Sequence, residues 1–241
     1  MWTSTALASE HRAYGGRVWR VVEAQHRIST NRLATGMAEQ QVLEELADEV
    51  KPQVPQTAQH LHFLLASPFR YGHGQPSRFR RASERPGIFY ASEQESTAIA
   101  ETAYWRLRFF ARSPGFSPPA TTTEHSSFSV GVSSERAIDL TGVPFAASEQ
   151  SWTDPDDYTA CQDLAVAARE ADTHVIRTLS ARGAARGCNV VILDPIAFTE
   201  NRPRPGKTWH LRYEDGQLVA LAAFPSNERF VFSAKGFGIP M

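Results

Sequence analysis

The sequence predicts a single compact α+β domain, and three observations support this fold class. Short apolar or alternating runs, which are typical of strands, are interspersed with a few amphipathic helical patterns. No internal repeat and no linker divides the chain. Its 241 residues, 41% hydrophobic and 21% charged, are those of an ordinary globular protein that can bury a substantial core.

The N-terminal part of the chain is predicted to hold one strand and one helix. Residues 1–16 are polar and aperiodic, which indicates a flexible N-terminus before a domain at 17–241. Residues 17–22 alternate polar and apolar side chains, as a half-buried strand does. Residues 36–50 have the spacing of an amphipathic helix, so we expect a helical part at about 30–60 that packs on the core.

A strand and a helix are predicted in the middle of the chain. The apolar run at residues 87–91 lies between turn residues and indicates a buried strand. Ser92 is followed three residues later by Glu95, which is the pattern of a capping box that opens a helix. Helical spacing continues to Phe109, and the Pro/Ser/Thr-rich residues 113–127 then predict a loop.

The second half of the chain is mostly strand in its pattern. The predicted elements are strands at 128–132 and 137–140, a helix at 157–171, a strand at 175–176, a loop at 178–187, a buried strand at 188–193, and a hairpin formed by 209–212 and 217–224.

Composition excludes several classes of function. A formal net charge of −1 argues against a general nucleic-acid binder, and no apolar run is long enough for a membrane span. The N-terminus lacks the apolar region of a signal peptide. Cys161 and Cys188 are too few for a disulfide scaffold, so we expect reduced, buried thiols in a cytoplasmic protein.

Common catalytic and cofactor motifs are also missing. The eight histidines form neither an H-E-x-x-H motif nor a Cys/His quartet, so no metal site is expected. The sequence has no G-x-S-x-G nucleophile motif, no P-loop and no Rossmann glycine motif. A dinucleotide would therefore have to bind outside these schemes.

An arginine-rich segment stands out before the predicted middle strand. Because guanidinium groups bind phosphate in a bidentate way and an apolar wall strengthens that contact, the segment suits a small phosphate-bearing ligand. The strand that follows carries Tyr90 and the helix carries Glu101, an order that suits a site acting on a ribose. The cluster contains Arg70, Arg78, Arg80, Arg81 and Arg85, interleaved with Phe69, Tyr71 and Phe79.

Each of these residues also has an ordinary structural interpretation, which the residues taken singly favour. The arginines would form a solvated surface loop, and Tyr90 would be a core aromatic with a satisfied hydroxyl. Glu101 would be an exposed helix residue, and Ser180 a loop hydroxyl. Only the combination of motifs favours function.

In combination and in order, the motifs resemble the RES-domain family of toxins, which is named for Arg, Glu and Ser residues. The matching stretches are SPFRY at 67–71, SRFR at 77–80, GIFYA at 87–91, TAIAE at 97–101, SAR at 180–182 and GCNVVILDP at 187–195. The resemblance spans roughly residues 17–224. Its N-terminal part is similar to the longer branch of the family.

The resemblance implies a fold similar to ADP-ribosyltransferases of the diphtheria-toxin kind, with mixed sheets and flanking helices. It also implies that NAD is a substrate, cleaved at the nicotinamide–ribose bond without a metal. By motif position, Arg78, Glu101 and Ser180 would be the Arg, Glu and Ser of the family, and Tyr90 the tyrosine of the pocket. Arg80 lies close enough to Arg78 to take the same role.

Chemical roles follow from this assignment. Glu101 would stabilise an oxocarbenium-like transition state and hold a ribose hydroxyl. Arg78 would clamp the pyrophosphate, Tyr90 would stack on nicotinamide, and Ser180 would bind the carboxamide or ribose. Further NAD contacts are expected from Arg70, Tyr71 and Arg80, and whether Arg182 touches the ligand is left open.

The acceptor of the ADP-ribosyl group remains open at this stage. Water gives a glycohydrolase, phosphate a phosphorylase, and a protein side chain a mono-ADP-ribosyltransferase. We favour NAD degradation that arrests growth, because no second basic or aromatic docking element is evident. A non-enzymatic nucleotide-binding or interaction domain is the alternative from another class.

Partners are implied by the resemblance as well. It implies a cognate Xre-like antitoxin that covers the active site, with no direct contact between this chain and nucleic acid or membrane. A homodimer within the toxin–antitoxin complex is an assembly that the resemblance allows.

Overall fold

The fold is an eight-stranded β-sheet with α-helices around it, as seen in a computed structural model that describes residues 2–24, 36–113, 115, 121–182 and 187–239. The predicted α+β class is therefore confirmed. The strands are β1 (Arg12–Glu23), β2 (Phe89–Ser92), β3 (Thr123–Asp139), β4 (Val175–Leu179), β5 (Cys188–Ile192), β6 (Arg204–Glu214), β7 (Gln217–Ala222) and β8 (Arg229–Ser233). The helices are α1 (Ser4–Ser9), α2 (Met37–Glu49), α3 (Phe63–Arg70), α4 (Glu95–Ala111), α5 (Glu149–Trp152) and α6 (Thr159–Glu170).

Strand order explains how the sheet curves around a site. The order is β1-β2-β5-β4-β3-β6-β7-β8, and β1 also pairs with β3, so the first five strands close into a ring. The ring closes between β1 and β2 through Trp19 and Ser92. Strands β6, β7 and β8 extend the sheet beyond β3 as antiparallel neighbours.

The long strand β3 is shared by the ring and the extension. Along one edge it pairs with β1 at residues 125–137, while its other edge pairs with β6 at residues 123–129 and with β4 at residues 137–139. Two separate strands at 128–132 and 137–140 were predicted, and that prediction is wrong. The polar residues 133–136 interrupt the apolar pattern, but the strand continues through them, because Ser133 and Ser134 pair with β1 and the backbone groups of Arg136 bond to the Ser134 hydroxyl and the His174 N–H.

The N-terminal segment differs from the flexible stretch that the sequence predicts. Residues Ser4–Ser9 form α1, and β1 already begins at Arg12. The Thr3 hydroxyl accepts a hydrogen bond from the backbone N–H of Ala6, which caps the helix. Leu7 is fully buried in a core cluster with Leu164 of α6, and Trp2 packs against the same cluster with its ring 4.4 Å from that of Phe145. These apolar side chains anchor a segment that is otherwise mostly polar.

Helix α2 covers the predicted helix at 36–50, and three of its described apolar side chains are largely exposed. Met37 is 88% exposed, and Val42 and Leu46 are each 53% exposed. For this helix the expectation that the 30–60 region packs on the core stays a prediction. It holds farther along, where Ala58 is fully buried in the core cluster that contains Leu65 of α3. Part of that predicted region, residues 30–35, lies outside the described residues.

Helix α4 has two faces that serve different purposes. Ile99, Ala103 and Leu107 recur at helical spacing and are buried against the inner side chains of β6 and β7, in the cluster that includes Trp209. Burying an aliphatic side chain of this size contributes about 1.5–3 kcal/mol to stability. The opposite face carries Glu101 toward a cleft.

The start of α4 is not the predicted capping box. Its N-cap is Gln94, which makes no side-chain capping hydrogen bond. Ser92 instead donates to Asn189, and Glu95 accepts hydrogen bonds from residues of β3 and β6. Hydrogen bonds to residues that are remote in sequence therefore replace the local capping hydrogen bonds that the pattern predicts.

Two further observations concern the class of protein. Cys161 and Cys188 are both buried and free, as the sequence predicted. Within the residues that the structure describes, no helix has the length and apolar character needed to cross a bilayer.

Candidate active site

A cleft of about 660 Å³ opens beside the outer face of α4. Its walls come from β1, β2, the loop at residues 73–80, α4, and the chain segments that follow β4 and begin β5. Of the residues predicted for a site, the cleft is lined by Arg78, Arg80, Tyr90 and Glu101, and Arg182 lines it as well. The chain thus gathers residues that are far apart in sequence around one cavity.

Glu101 is the carboxylate of this cleft, and two neutral side chains hold it. The Ser180 hydroxyl donates a hydrogen bond of 2.7 Å to Glu101 Oε1. The Asn189 side-chain amide donates one of 2.5 Å to the same oxygen. Ser92 in turn donates to Asn189 Oδ1 over 2.8 Å, which orients the amide with its NH₂ toward Glu101.

The fold brings these donors to α4 in two ways. Strand pairing places Ser92 of β2 directly opposite Asn189 of β5. Gly187 packs so closely on Thr97 of α4 that a Cβ atom there would collide with the Thr97 side chain. That close approach, together with a 2.8 Å hydrogen bond from the Ser180 N–H to the Gly187 carbonyl, brings Ser180 within reach of the helix.

Within the part of the chain that the structure describes, no cation compensates the charge of Glu101. Among the described residues, Glu101 forms no ion pair, and both of its hydrogen bonds go to Oε1. No described side chain donates to Oε2. Glu101 lines the cleft, so a ligand bound there would lie beside this carboxylate. A carboxylate held by neutral dipoles retains its negative potential for a positively charged reaction centre.

Arg78 and Tyr90 also line the cleft, and their side chains differ in role from that of Glu101. Arg78 is 8% exposed and donates a 3.0 Å hydrogen bond to the carbonyl of Leu179, which comes just before Ser180. The Tyr90 hydroxyl lies 2.9 Å from the Ser77 hydroxyl and accepts a 3.0 Å hydrogen bond from the Phe79 N–H. Burial raises the pKa of Tyr90, so its hydroxyl is neutral at physiological pH.

Arg80 is bound by its own loop. It is 4% exposed, and its guanidinium donates to the carbonyls of His73 and Arg81 at 2.9 Å and of Gln75 at 2.6 Å. Three backbone acceptors on one side chain fix the shape of this loop, which forms one wall of the cleft. Arg78, and not Arg80, is therefore the arginine of the pair that the loop itself does not saturate.

Arg70 and Tyr71 are not brought to the cleft, although both were predicted to contact NAD. The guanidinium of Arg70 donates to the carbonyl of Pro52 and ties α3 to the chain after α2. The Tyr71 ring packs 6.0 Å from the ring of His73. Neither residue lines the cavity.

The sequence prediction missed Asn189, Ser92 and Arg20, which belong to this region. Asn189 is the one polar residue of the buried strand β5, and a polar residue in such a strand was an available signal. Ser92 was assigned to a capping box. Arg20 was taken as the outward residue of an alternating strand, yet it lines the cleft.

No group of three or more His, Cys, Asp or Glu side chains that could hold a metal ion occurs among the described residues.

Comparisons with known proteins were made on the whole chain. A family model described as "RES domain" matches residues 54–214. A search of curated proteins found no match. Among solved structures, the chain is similar to one from the crystal structure of the M. tuberculosis MbcT-MbcA toxin-antitoxin complex. The identity is 12% and the TM-score 0.47, over 86% of this chain and 92% of that chain.

Proposed function

The chain belongs to the RES-domain family, and from that premise we propose that it is the toxin of a toxin–antitoxin pair that cleaves the nicotinamide–ribose bond of NAD. Loss of cellular NAD would arrest growth. The observation that carries the proposal is the position of Glu101 and the kind of groups that hold it. It lines the cleft, two neutral donors hold one of its oxygens, and no cation of the described chain compensates its charge.

This arrangement suits the chemistry of the proposed bond cleavage. The nicotinamide of NAD leaves with the bonding electron pair and becomes neutral, so the reaction needs no general acid. The ribose carbon that loses it develops the positive charge of an oxocarbenium ion. A fixed carboxylate beside that carbon stabilises the charge as it forms, and Oε2 of Glu101 is the oxygen that we assign to this role.

The other cleft residues support binding and orientation. We assign Arg78 to the phosphates of the ligand, because its guanidinium is held by a single carbonyl and has further N–H groups to donate. Tyr90 offers a neutral ring for the nicotinamide. Ser180 and Asn189 position Glu101 by donating to the same carboxylate oxygen.

The acceptor is water or phosphate in this proposal. Transfer of ADP-ribose to a protein shares the same first step, and the product distinguishes the two reactions.

For partners, we propose an Xre-like antitoxin that inserts an acidic segment into the cleft, because four arginines line it against a single acidic residue, Glu101. The toxin would act in the cytoplasm, where NAD and the antitoxin are both present.

The decisive experiment incubates the purified protein with NAD, with and without phosphate, and follows nicotinamide and the ADP-ribosyl product by chromatography. We expect nicotinamide release that depends on Glu101 and is lost in Glu101→Gln. ADP-ribose as the product identifies a glycohydrolase, and ADP-ribose 1″-phosphate a phosphorylase. If no nicotinamide appears in buffer but labelled ADP-ribose is attached to protein in a lysate, the degradation proposal is replaced by the transferase. Absence of both reactions would refute enzymatic NAD cleavage.

A further inference from the structure

The arginines that line the cleft differ in how far the protein satisfies their N–H groups. Arg78 and Arg80 are anchored on backbone carbonyls. Arg182 and Arg20 each keep a terminal nitrogen, Nη1, that is buried and has no hydrogen-bond partner in the part of the chain that the structure describes. A buried donor of a charged group without an acceptor is unfavourable, so an acceptor supplied by a ligand has a large effect there.

The guanidinium of Arg182 is held in place by several contacts, but none of the described residues accepts a hydrogen bond from its Nη1. Its guanidinium stacks 3.6 Å from the ring centroid of Tyr104, and Nη2 donates to the Tyr158 hydroxyl at 2.8 Å and the Pro155 carbonyl at 3.0 Å. The residue is only 7% exposed. The backbone N–H of Arg182 also donates to Ser180 Oγ, which places this cation next to the residues that hold Glu101.

Arg20 is the second such cation, on a different wall of the cleft. Its guanidinium lies 4.7 Å from the ring centroid of Phe89. Burial lowers the pKa of Arg20 to about 10, which leaves the side chain protonated at neutral pH. The protein therefore keeps a second desolvated positive charge at the cavity without supplying an acceptor for its Nη1 among the described residues.

We propose that Arg182 and Arg20 bind phosphate oxygens of the ligand, in place of Arg70 and Arg80. Phosphate is the acceptor that a guanidinium fits best, and two separate cations suit a ligand with more than one anionic oxygen. The inference rests on the proposed function. The phosphate belongs either to the pyrophosphate of the dinucleotide or to free phosphate that serves as the acceptor, and both sources present the same chemistry to these two side chains.

The chain offers a matched control in Arg169 of α6. Among the described residues its Nε is also buried without a hydrogen-bond acceptor, although the Glu84 carboxylate lies 3.9 Å away, and its Nη2 donates a 3.0 Å hydrogen bond to the Pro86 carbonyl. Unlike Arg182 and Arg20, it does not line the cleft. A general consequence of removing a buried arginine would therefore appear in Arg169→Gln as well.

The test measures ligand binding in the Glu101→Gln background, so that no turnover intervenes. ADP-ribose and inorganic phosphate are the phosphate-bearing probes, and nicotinamide riboside is the probe without phosphate; ligand-observed NMR measures all three. We expect Arg182→Gln and Arg20→Gln to weaken ADP-ribose binding by about tenfold or more. Nicotinamide riboside should bind equally to all variants, and Arg169→Gln should match the parent for every probe.

Competition separates the two sources of phosphate. If inorganic phosphate and ADP-ribose exclude each other and both depend on Arg182, the subsite holds the pyrophosphate. If phosphate binds beside ADP-ribose and only phosphate binding depends on Arg182, the subsite holds the acceptor. Should Arg182→Gln fold poorly, Arg182→Lys keeps the charge but lacks the planar fork and is expected to show the same ranking.

The inference is overturned if neither phosphate-bearing probe is affected, or if nicotinamide riboside weakens as much as ADP-ribose does. Its failure is distinguishable from failure of the proposed function. A protein that releases no nicotinamide from NAD, but binds ADP-ribose through these arginines, refutes the enzyme and keeps the subsite. A protein that cleaves NAD but binds ADP-ribose independently of both arginines supports the enzyme and refutes the subsite.

Discussion

Two glutamates on α4, Glu95 and Glu101, are separated by less than two helical turns and are treated differently by the fold. Glu95 accepts hydrogen bonds from the Ser127 hydroxyl at 2.5 Å, the Trp209 indole at 3.0 Å and the Lys207 ammonium at 3.0 Å. Burial alone would raise the pKa of Glu95, but these three donors outweigh it and lower the pKa.

Glu101 is held by two donors, and neither of them is a cation. The difference that matters for a ligand is that an ammonium compensates the charge of Glu95, whereas only neutral groups hold Glu101. A carboxylate paired with an ammonium stabilises the fold and has little potential left for a ligand. One fixed by neutral groups keeps its field for a cationic reaction centre, and four mutations test whether this difference decides function.

The largest effect on turnover is expected for Glu101→Gln. The amide keeps an oxygen that can accept from Ser180 and Asn189, so the fold should be retained while the negative charge is lost. We expect kcat for nicotinamide release to fall by about 10²–10³-fold, the range seen when one electrostatic contact to a transition state is removed. Single-turnover assays measure this, and circular dichroism controls for folding. A variant that keeps more than a tenth of the parent's rate would show that the charge of Glu101 does not decide turnover.

A smaller loss is expected for Asn189→Ala. This change removes one of the two donors to Oε1 but leaves the carboxylate and Ser180 in place. Since hydrogen bonds to charged groups contribute about 1.5–3 kcal/mol, we expect roughly a tenfold fall in kcat with a smaller change in KM. Steady-state kinetics over a range of NAD concentrations separate the two constants. Full activity would show that Ser180 alone positions Glu101.

Ser92→Ala acts one bond farther away and should have a still smaller effect. It removes the hydroxyl that orients the Asn189 amide, a hydrogen bond between neutral groups. Such a bond contributes about 0.5–1.5 kcal/mol, which corresponds to roughly two- to tenfold, and because Ser92 acts only through Asn189 we expect a loss of kcat of about threefold. The double variant with Asn189→Ala should be no worse than Asn189→Ala alone. Additive losses would mean that Ser92 acts by another route.

Glu95→Gln is expected to leave turnover within about twofold of the parent and to lower stability instead, by about 1–2 kcal/mol at neutral pH. Because the pKa of Glu95 is lowered by folding, its contribution is present above the unfolded value of 4.5 and is lost as the pH falls through the folded value. Urea unfolding at pH 7 and at pH 3 measures the difference between parent and variant. The proposed difference between Glu95 and Glu101 would be contradicted if the difference in unfolding free energy stayed constant down to pH 3. It would also be contradicted if Glu95→Gln had little activity.

Much of the fold could be predicted from local pattern, and the failures share a cause. The strand β5, the helix α6 and the hairpin of β6 and β7 were predicted because their apolar periodicity is uninterrupted. The capping box failed because Ser92 and Glu95 have better partners that are remote in sequence. Continuity of β3 likewise depends on pairing with β1, which no local pattern encodes.

The site was predictable to the same extent. A motif could mark Glu101, Ser180 and Arg78, but spacing along the chain could not show that Arg70 reaches back to Pro52 or that the loop saturates Arg80. Nor could it show that Asn189 donates to Glu101. These facts depend on which groups a folded chain brings within about 3 Å of each other, and several local arrangements are compatible with one sequence pattern.

The hydrogen bonds of Glu101 have a consequence for synthesis of the protein. Its two donors are separated from it by 79 and 88 residues along the chain. A ribosome therefore extends the chain well past the glutamate before either donor exists, and during that interval the carboxylate has no fixed direction. Contacts of such long sequence separation form late in folding as well. Whatever Glu101 does in the finished protein, the nascent chain cannot do it until β5 has emerged and paired with β2.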